Sequence, residues 1–312
     1  MIPTIIQNMN VVIGSLIIGE LIVRCFVKRD SYDHKDSLAN FAIGIVNRII
    51  TTVAWSAVML GAFTIAHNLS PFRIDTETYV WTWAIAVLMS DFSFYWYHRC
   101  GHEIRALWSI HCVHHNSEDY NLSTSVRLSW IESSIRWVYW LPLPLVGFGP
   151  LESLMAYMLV RWYQVLLHTE YVRTLGPLEW ILSTPSHHRA HHGKNPQYID
   201  KNYGGVLIIW DRLFGTFQAE NEKVKYGTLT PVASYNVFKI NFIELAHLIR
   251  DMKQAENWGD RVGYFLKPPG WAPEGATDAG FAGPQQQYGP FPDASWSKDG
   301  DMTATQAEKI SA

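Results

Sequence analysis

Histidine is concentrated in two short windows of the sequence. Five of the thirteen histidines lie between residues 98 and 115, and four more lie between residues 187 and 192. Within the windows they recur at spacings of three and four, which places imidazoles on one face of a helix. Gathering so many basic rings is unfavourable unless a cation holds them, so the pattern predicts a metal site. Eight histidines follow this spacing: His98, His102, His111, His114, His115, His188, His191 and His192.

The number of imidazoles indicates two metal ions. A tetrahedral zinc site is filled by four ligands and commonly includes cysteine. Imidazole binds iron, zinc, copper and nickel alike, so the ligand type leaves the identity of the metal open. The three cysteines, Cys25, Cys100 and Cys112, lack the paired spacing of a zinc knuckle or a disulfide framework. We expect them to be reduced.

The composition favours a membrane protein. Hydrophobic residues make up 48% of the 312 residues and charged residues only 17%, and the chain contains 14 Trp and 15 Tyr. Trp and Tyr are enriched where a helix passes from lipid tails to headgroups. The net charge of -3 and the lack of a basic run argue against a nucleic-acid partner. An apolar substrate reaching the metals from lipid favours iron and O2 activation over hydrolysis.

The apolar segments of the sequence predict the helices that position the histidines. A spanning helix needs about 20 apolar residues, because the hydrocarbon core is about 30 Å thick. The start of the chain has no basic region and no small-residue cleavage site, so we expect the first segment to remain in the mature protein. The alternative is that the segments are core helices of a soluble all-α enzyme. We predict five membrane-embedded helices, at residues 4–23, 49–72, 79–97, 130–146 and 151–168, the last two joined by a turn at 147–150.

Basic residues near the first and third segments set the orientation, since loops rich in Lys and Arg stay in the cytosol. The predicted fold is an all-α, integral membrane helical bundle with a cytosolic helical cap carrying the histidines. It would lie in the endoplasmic reticulum of a eukaryote or the cytoplasmic membrane of a bacterium. Residues 1–272 would form one membrane-embedded domain with its histidine core at about 90–230, and residues 273–312 a disordered tail. The basic residues are Arg24, Lys28, Arg29, Lys35, Arg99 and Arg105.

The three histidine motifs resemble those of the fatty acid hydroxylase and sterol desaturase superfamily. They read HRCGH at 98–102, HCVHH at 111–115 and HHRAHH at 187–192. Longer segments resemble a family of glyceryl-ether-cleaving monooxygenases within it. These are HHNSEDYNLSTS at 114–125, LGPLEWILSTPSHHRAHHG at 175–193 and IDKNYGGVLIIWDRLFGTF at 199–217. The resemblance covers about residues 90–230.

This resemblance implies a specific chemistry. Two irons would be bound by the eight motif histidines, and Glu103 beside the first motif would be required for activity. The expected reaction is O2-dependent hydroxylation of the alkyl carbon attached to an ether oxygen, after which the product collapses to fatty aldehyde and glycerol. Tetrahydrobiopterin is the implied reductant, although nothing else in the sequence indicates a pterin pocket. In an organism without that cofactor, another electron donor would be required.

Four further positions are candidates for supporting the metals. Fatty acid hydroxylases carry a histidine pair four residues apart before the last motif, and here the pair is Gln164 and His168. We expect His168 to be a ninth ligand and Gln164 to support a ligand from behind. His187 would either bind metal or orient a neighbour. Asp91 would either accept the free ring N–H of a ligand or act only as a helix-end charge.

A polar stretch after the second motif is a candidate for binding the substrate headgroup. It offers donors and acceptors at the mouth of the metal site, as a glycerol head requires. The alternative is that Ser117 or Asp119 caps the next helix and that Glu118 is merely solvated. The candidate residues are Asn116, Glu118, Asp119, Tyr120 and Asn121.

Two other functions remain open at this stage. A hydroxylase or desaturase acting on a sterol, fatty acyl or carotenoid chain would use the same motifs with a different substrate channel. A metal-handling membrane protein without turnover would line a path with intramembrane acidic residues, and beyond Asp91 these are scarce. A lipid substrate, a membrane and an electron donor are the partners expected for an enzyme.

Overall fold

A computed structural model describes residues 2–28 and 33–274 of the chain. Regular structure in these residues is helical, apart from two isolated β-bridges. Short 3-10 helices at Leu122–Val126, Arg136–Trp140, Gly176–Trp180 and Pro196–Tyr198 connect some of the α-helices. The α-helices are α1 Ile2–Val23, α2 His34–Ile50, α3 Ser56–Leu69, α4 Thr82–Glu103, α5 Arg105–His115, α6 Glu132–Ile135, α7 Pro142–Val146, α8 Pro150–Leu167, α9 Pro185–His191, α10 Ile209–Phe214, α11 Val237–Gln254 and α12 Trp258–Leu266.

Two helices among the described residues are long and apolar enough to cross a membrane. One covers Gln7–Phe26, and the other runs without a break from His34 to Leu69, through a π-helical turn that joins α2 to α3. Only 6% of the apolar stretch of the first helix and 11% of that of the second are buried inside the protein, so their apolar side chains face outward. Lipid is the environment in which such exposed apolar surface is stable, and the chain is therefore associated with a membrane.

The centre of the bundle is formed by α4, which packs against both α5 and α8. A core of buried apolar side chains holds α4 and α8 together, with Trp140, Phe148 and Val160 among its members. On the other side of α5, the amphipathic helix α11 closes the bundle. The histidine-bearing helices are thus fixed on two sides by packing.

The predicted all-helical fold is confirmed, but a count of five membrane helices is not. The segments at 4–23 and 151–168 are helices close to their predicted bounds, while the second predicted helix begins earlier, at His34. Most of the segment at 79–97 lies in α4, which is not one of the two described helices that are long and apolar enough to cross a membrane.

The prediction of one continuous helix at 130–146 is wrong. This segment is divided into α6, a 3-10 helix and α7. Pro142 and Pro144 contribute to the division, because proline has no N–H to continue the helical ladder. The turn predicted at 147–150 is confirmed, and Gly147 adopts a φ of 117° there, which favours glycine. The tail predicted to be disordered lies outside the described residues from residue 275 onward.

Candidate metal centre

Four helices bring nine buried histidines to one place. The last turns of α4 carry the first motif, and α5 starts after a break at Ile104, whose extended backbone reverses the chain. The two helices are close at Gly101, where a Cβ would be in van der Waals contact with the His111 ring at 3.4 Å. The end of α8 supplies His168, and α9 supplies the third motif after a Thr184 N-cap and a Pro185 suited to a first helical position.

The histidines form two groups, of five and four. In each group the candidate ligand atoms all lie within 4.8 Å of one another, and every member is buried. His114 and His115 are neighbours in the sequence but belong to different groups. His168 lies in the second group, where it takes the position expected of a ninth ligand. The first group is His98, His102, His111, His115 and His191, and the second is His114, His168, His188 and His192.

The distances between ring nitrogens match shared coordination of a metal. The Nε2 atom of His115 lies 3.2 Å from the Nε2 atoms of His102, His111 and His191. A neutral imidazole carries one N–H, so these contacts cannot all be hydrogen bonds. With metal–nitrogen bonds of about 2.1 Å, two nitrogens on one ion are about 3.0 to 3.4 Å apart. In the second group, the Nε2 atom of His168 lies 3.1 Å from the Nε2 atoms of His114 and His188.

Backbone carbonyls hold the opposite side of several rings. The Nδ1 atoms of His98, His168 and His191 lie 3.0, 2.8 and 2.8 Å from the carbonyl oxygens of Tyr203, Gln164 and Lys201, respectively. A carbonyl accepts only from a protonated Nδ1, which leaves the lone pair on Nε2. Each ring is thereby fixed in the tautomer and orientation that a metal requires.

Burial keeps the rings neutral. It lowers the pKa of His98 to about 4 and holds the pKa values of His102, His115 and His191 well below the ordinary value of 6.5. Neighbouring imidazoles add to this effect, because a second charge in the cluster would repel the first. A cluster of neutral rings with converging lone pairs fits one divalent ion in each group.

Two buried aspartates hold the loop that supports the first group. Asp211 accepts hydrogen bonds from the backbone N–H groups of Tyr203 and Gly204, both at 2.7 Å. Asp91 accepts from the N–H groups of Val206 and Leu207 and from the indole N–H of Trp210. The hypothesis that Asp91 accepts a ring N–H is therefore wrong, and so is the helix-end alternative. Both oxygens of the Asp91 carboxylate accept hydrogen bonds from this loop.

Two buried arginines that the sequence analysis did not single out fix the motif helices. Arg127 donates to Asp36 at 3.1 Å, to Asn40 at 2.7 Å and to the carbonyl oxygen of Val113 at 2.9 Å, which ties α2 to α5. Arg189, inside the third motif, pairs with Glu220 at 2.7 Å. Position inside a motif was the available signal for Arg189, whereas nothing local distinguishes Arg127.

The remaining candidates beside the metals have distinct environments. The backbone carbonyl of Gln164 contacts His168, whereas its side-chain amide donates to the carbonyl oxygen of Gly205. A role of the Gln164 side chain beside the ligands stays a prediction. His187 is outside both groups and packs edge-on against Phe217. Glu103 forms an ion pair of 2.8 Å with Arg99, and 41% of its side chain is exposed. Its carboxylate therefore lies at the rim of the first group.

The polar stretch after the second motif serves mainly structural contacts. Asp119 binds Arg24 at 3.0 Å, and Glu118 lies 3.9 Å from Lys194 at the surface. The Tyr120 hydroxyl donates to a backbone carbonyl, and the Asn121 side chain caps the 3-10 helix Leu122–Val126. Asn116 is the member of the candidate set that lines a cavity. Most of these contacts are structural, although the cap of the next helix is Asn121 and not Ser117 or Asp119.

Two cavities reach the imidazoles from different sides. The first, of about 80 Å³, is lined by His102, His115, His191 and His192 together with polar cap residues that include Lys194, Asp200 and Glu244. The second, of about 50 Å³, lies between α4 and α8. It is lined by histidines of both groups, namely His98, His111, His114, His168 and His188. Both groups are therefore accessible to a small molecule in the second cavity.

Residues 83–216 match the fatty acid hydroxylase family, and the matched segment contains all nine clustered histidines. The chain is also homologous to alkylglycerol monooxygenases. It is 38% identical to the Homo sapiens protein over 274 residues and 35% identical to the Xenopus tropicalis protein over 273 residues, each match covering 87% of this chain. It is 39% identical to the Danio rerio protein over 238 residues, or 76% of this chain. The resemblance inferred from the histidine motifs is confirmed.

The chain spans only part of each of these relatives, 61% of the human protein, 60% of the frog protein and 53% of the fish protein. No solved structure matches it.

Proposed function

We propose that this chain is a membrane di-iron monooxygenase that cleaves the ether bond of alkylglycerols, giving fatty aldehyde and glycerol. The observation that carries the proposal is the division of nine neutral, buried imidazoles into groups of five and four. Such a set suits two divalent ions of the iron type, because neither group contains a thiolate and the five ligands of the first group exceed the four of a tetrahedral zinc site. The similarity to alkylglycerol monooxygenases suggests the substrate class.

The irons would supply O2 activation and electron transfer when bound. One oxygen atom of O2 enters the alkyl carbon attached to the ether oxygen, and the other leaves as water with two electrons and two protons from the reductant. The resulting hemiacetal collapses to aldehyde and glycerol. The nine histidines would hold the metals, and the ether would lie in the second cavity, beside both groups.

The protein's own contribution is positioning and exclusion of water. The carbonyls of Tyr203, Gln164 and Lys201 would keep three ligand rings aimed at the metals. Phe94 and Val165 in the wall of the second cavity offer an apolar surface to the alkyl chain. A target C–H bond held against this wall is shielded from bulk water.

Tetrahydrobiopterin is our proposed reductant. We propose that Glu103 is required for the reaction with it. Glu103 lies at the end of α4, one residue after the His102 ligand, and its carboxylate reaches solvent. The first cavity is lined by Asp200, whose carboxylate lies 3.4 Å from the His102 Nδ1 atom. Partial burial raises the pKa of Asp200, and the Glu103 carboxylate is near enough to contribute to this shift. A reductant in that cavity would meet the metals on the side away from the proposed substrate position.

For topology, we propose that residues 1–272 form one membrane-embedded domain with its histidine sites on the cytosolic face. The two candidate spans support insertion of the N-terminal helices. The exposed apolar residues Leu145, Val146 and Leu151, at the turn between α7 and α8, support shallow insertion of that hairpin.

The test is an assay of membranes that contain the protein. With O2 and tetrahydrobiopterin, they should convert an alkylglycerol to fatty aldehyde, and omitting either should stop the reaction. A variant with His188→Ala, expressed to the same level, is the matched control for background activity. If iron-loaded protein leaves alkylglycerols untouched but hydroxylates a sterol or acyl chain, the ether-cleavage proposal is wrong and the oxygenase proposal survives.

A further inference from the structure

The second cavity contains charged groups that the metal site does not require. Its wall includes Glu132 on α6 and Arg161 on α8 together with the apolar side chains of Phe94, Leu128 and Val165. A cavity reserved for an alkyl chain alone would need no carboxylate and no guanidinium. The wall therefore offers both apolar and charged groups beside the imidazoles.

Glu132 is only half satisfied by the protein. Its side chain is 2% exposed, and its Oε1 atom accepts a hydrogen bond from the Tyr97 hydroxyl. Its Oε2 atom is buried without a hydrogen-bond partner among the described residues. Burial raises the pKa of Glu132, and the nearby Arg136 guanidinium opposes this through its charge but makes no hydrogen bond to this oxygen. Since a buried carboxylate oxygen without a donor is unfavourable, a donor from outside the chain would complete it. Water or a ligand hydroxyl could be that donor.

We propose that Glu132 and Arg161 form a subsite that binds the hydroxyl groups of the glycerol head. The inference rests on the proposed function and specifies which residues select its substrate. Glu132 Oε2 accepts one O–H, and the Arg161 guanidinium donates to an oxygen of the same head. A vicinal diol offers both kinds of group side by side.

The size of the cavity fits a small polar head. At about 10–15 Å³ per water-sized group, its volume of about 50 Å³ has room for roughly three to five such groups. This space suits the two hydroxyl-bearing carbons of the head, whereas a sterol ring system does not fit.

The position of the subsite also fits the reaction. The hydroxyl groups of an alkylglycerol are only a few bonds from the carbon that is oxidised, so the subsite must lie beside the metals. Glu132 shares its cavity with His98, His111 and His114, which represent both histidine groups. A head bound to Glu132 would place the ether oxygen between the subsite and the imidazoles.

The experiment compares Glu132→Gln with the wild-type protein in membranes. Hexadecylglycerol is the substrate, and hexadecyl methyl ether, which has no hydroxyl group, is a competitive inhibitor. In the variant, KM for hexadecylglycerol should rise roughly 10-fold to 100-fold, as expected for losing a hydrogen bond to a charged group. The inhibition constant of the methyl ether should stay within about twofold, because it makes no such bond.

Glu152→Gln is the matched control, since it makes the same chemical change in the first turn of α8, outside the cavity. Its KM should equal that of the wild type. If Glu132→Gln does not retain iron, Arg161→Gln replaces it in the same comparison.

Two outcomes separate the subsite from the proposed function. If the wild type cleaves hexadecylglycerol and the variant keeps its KM, or shifts both constants equally, the subsite is wrong and the function stands. If the iron-loaded wild type does not cleave hexadecylglycerol, the function and the subsite both fail.

Discussion

The substitution Asp211→Asn tests whether the loop behind the first histidine group prepares the metal site. Asp211 accepts three hydrogen bonds of 2.7 Å, from the backbone N–H groups of Tyr203 and Gly204 and from the Thr216 hydroxyl. Asparagine has one acceptor oxygen, and its NH2 group would face at least one of the backbone N–H donors. At about 1–3 kcal/mol for each group left unpaired, the free energy of unfolding should fall by about 2–4 kcal/mol.

The same substitution should weaken metal binding. The Tyr203 carbonyl fixes the His98 ring at 3.0 Å, so a displaced loop releases that ligand. Loss of support behind a ligand typically lowers metal affinity about 10-fold to 100-fold. Competition with a chelator measures the affinity, thermal unfolding in detergent measures the stability, and Asp75→Asn in an exposed loop is the matched control. A destabilised Asp211→Asn protein with wild-type metal affinity would refute the role of the loop.

Four further outcomes are expected. His115→Ala should lose the metal of the first group and all product formation, and elemental analysis that still finds two ions would contradict its assignment. Arg127→Met should lower the free energy of unfolding by about 3–5 kcal/mol, because it leaves a buried carboxylate unpaired; an unchanged unfolding temperature would contradict this. Glu103→Gln should retain both metals but lose activity, and a fully active variant would remove Glu103 from the mechanism. Single cysteines replacing Lys35 and Lys201 should react with an impermeant reagent from the same side of the membrane, and labelling from opposite sides would contradict the topology.

The histidine motifs could be interpreted from the sequence because helical spacing is a local property. Spacings of three and four place rings on one face, and α4, α5 and α9 present them in this way. Their division into groups depends on how the helices cross, which the sequence does not express. His114 and His115 illustrate this, since adjacent residues point toward different groups.

The supporting residues were harder to predict because their partners are distant in the chain. Asp91 binds the N–H groups of residues that lie 115 and 116 positions later. A buried acid near a motif suggested a hydrogen bond to a histidine ring, but the Asp91 carboxylate binds the backbone of the later loop instead. Glu132 was missed for a similar reason, since it lies in an apolar segment and becomes notable only through its cavity.

Hydropathy located the membrane-associated part of the chain but not every helix within it. The segment at 130–146 is apolar throughout, yet its prolines divide it and its residues cover the core between α4 and α8. Average hydropathy does not distinguish burial in protein from burial in lipid. The packing of α4 against two other helices shows which apolar segments are buried in protein.

The most direct test of the central claim is the metal content of the active, purified protein. Nine histidines in groups of five and four should hold two ions per chain, chiefly iron when iron is supplied. His188→Ala should reduce the content to about one ion, because it removes a ligand from the second group alone. Protein that is fully active with one ion, or with none, would contradict the two-metal account.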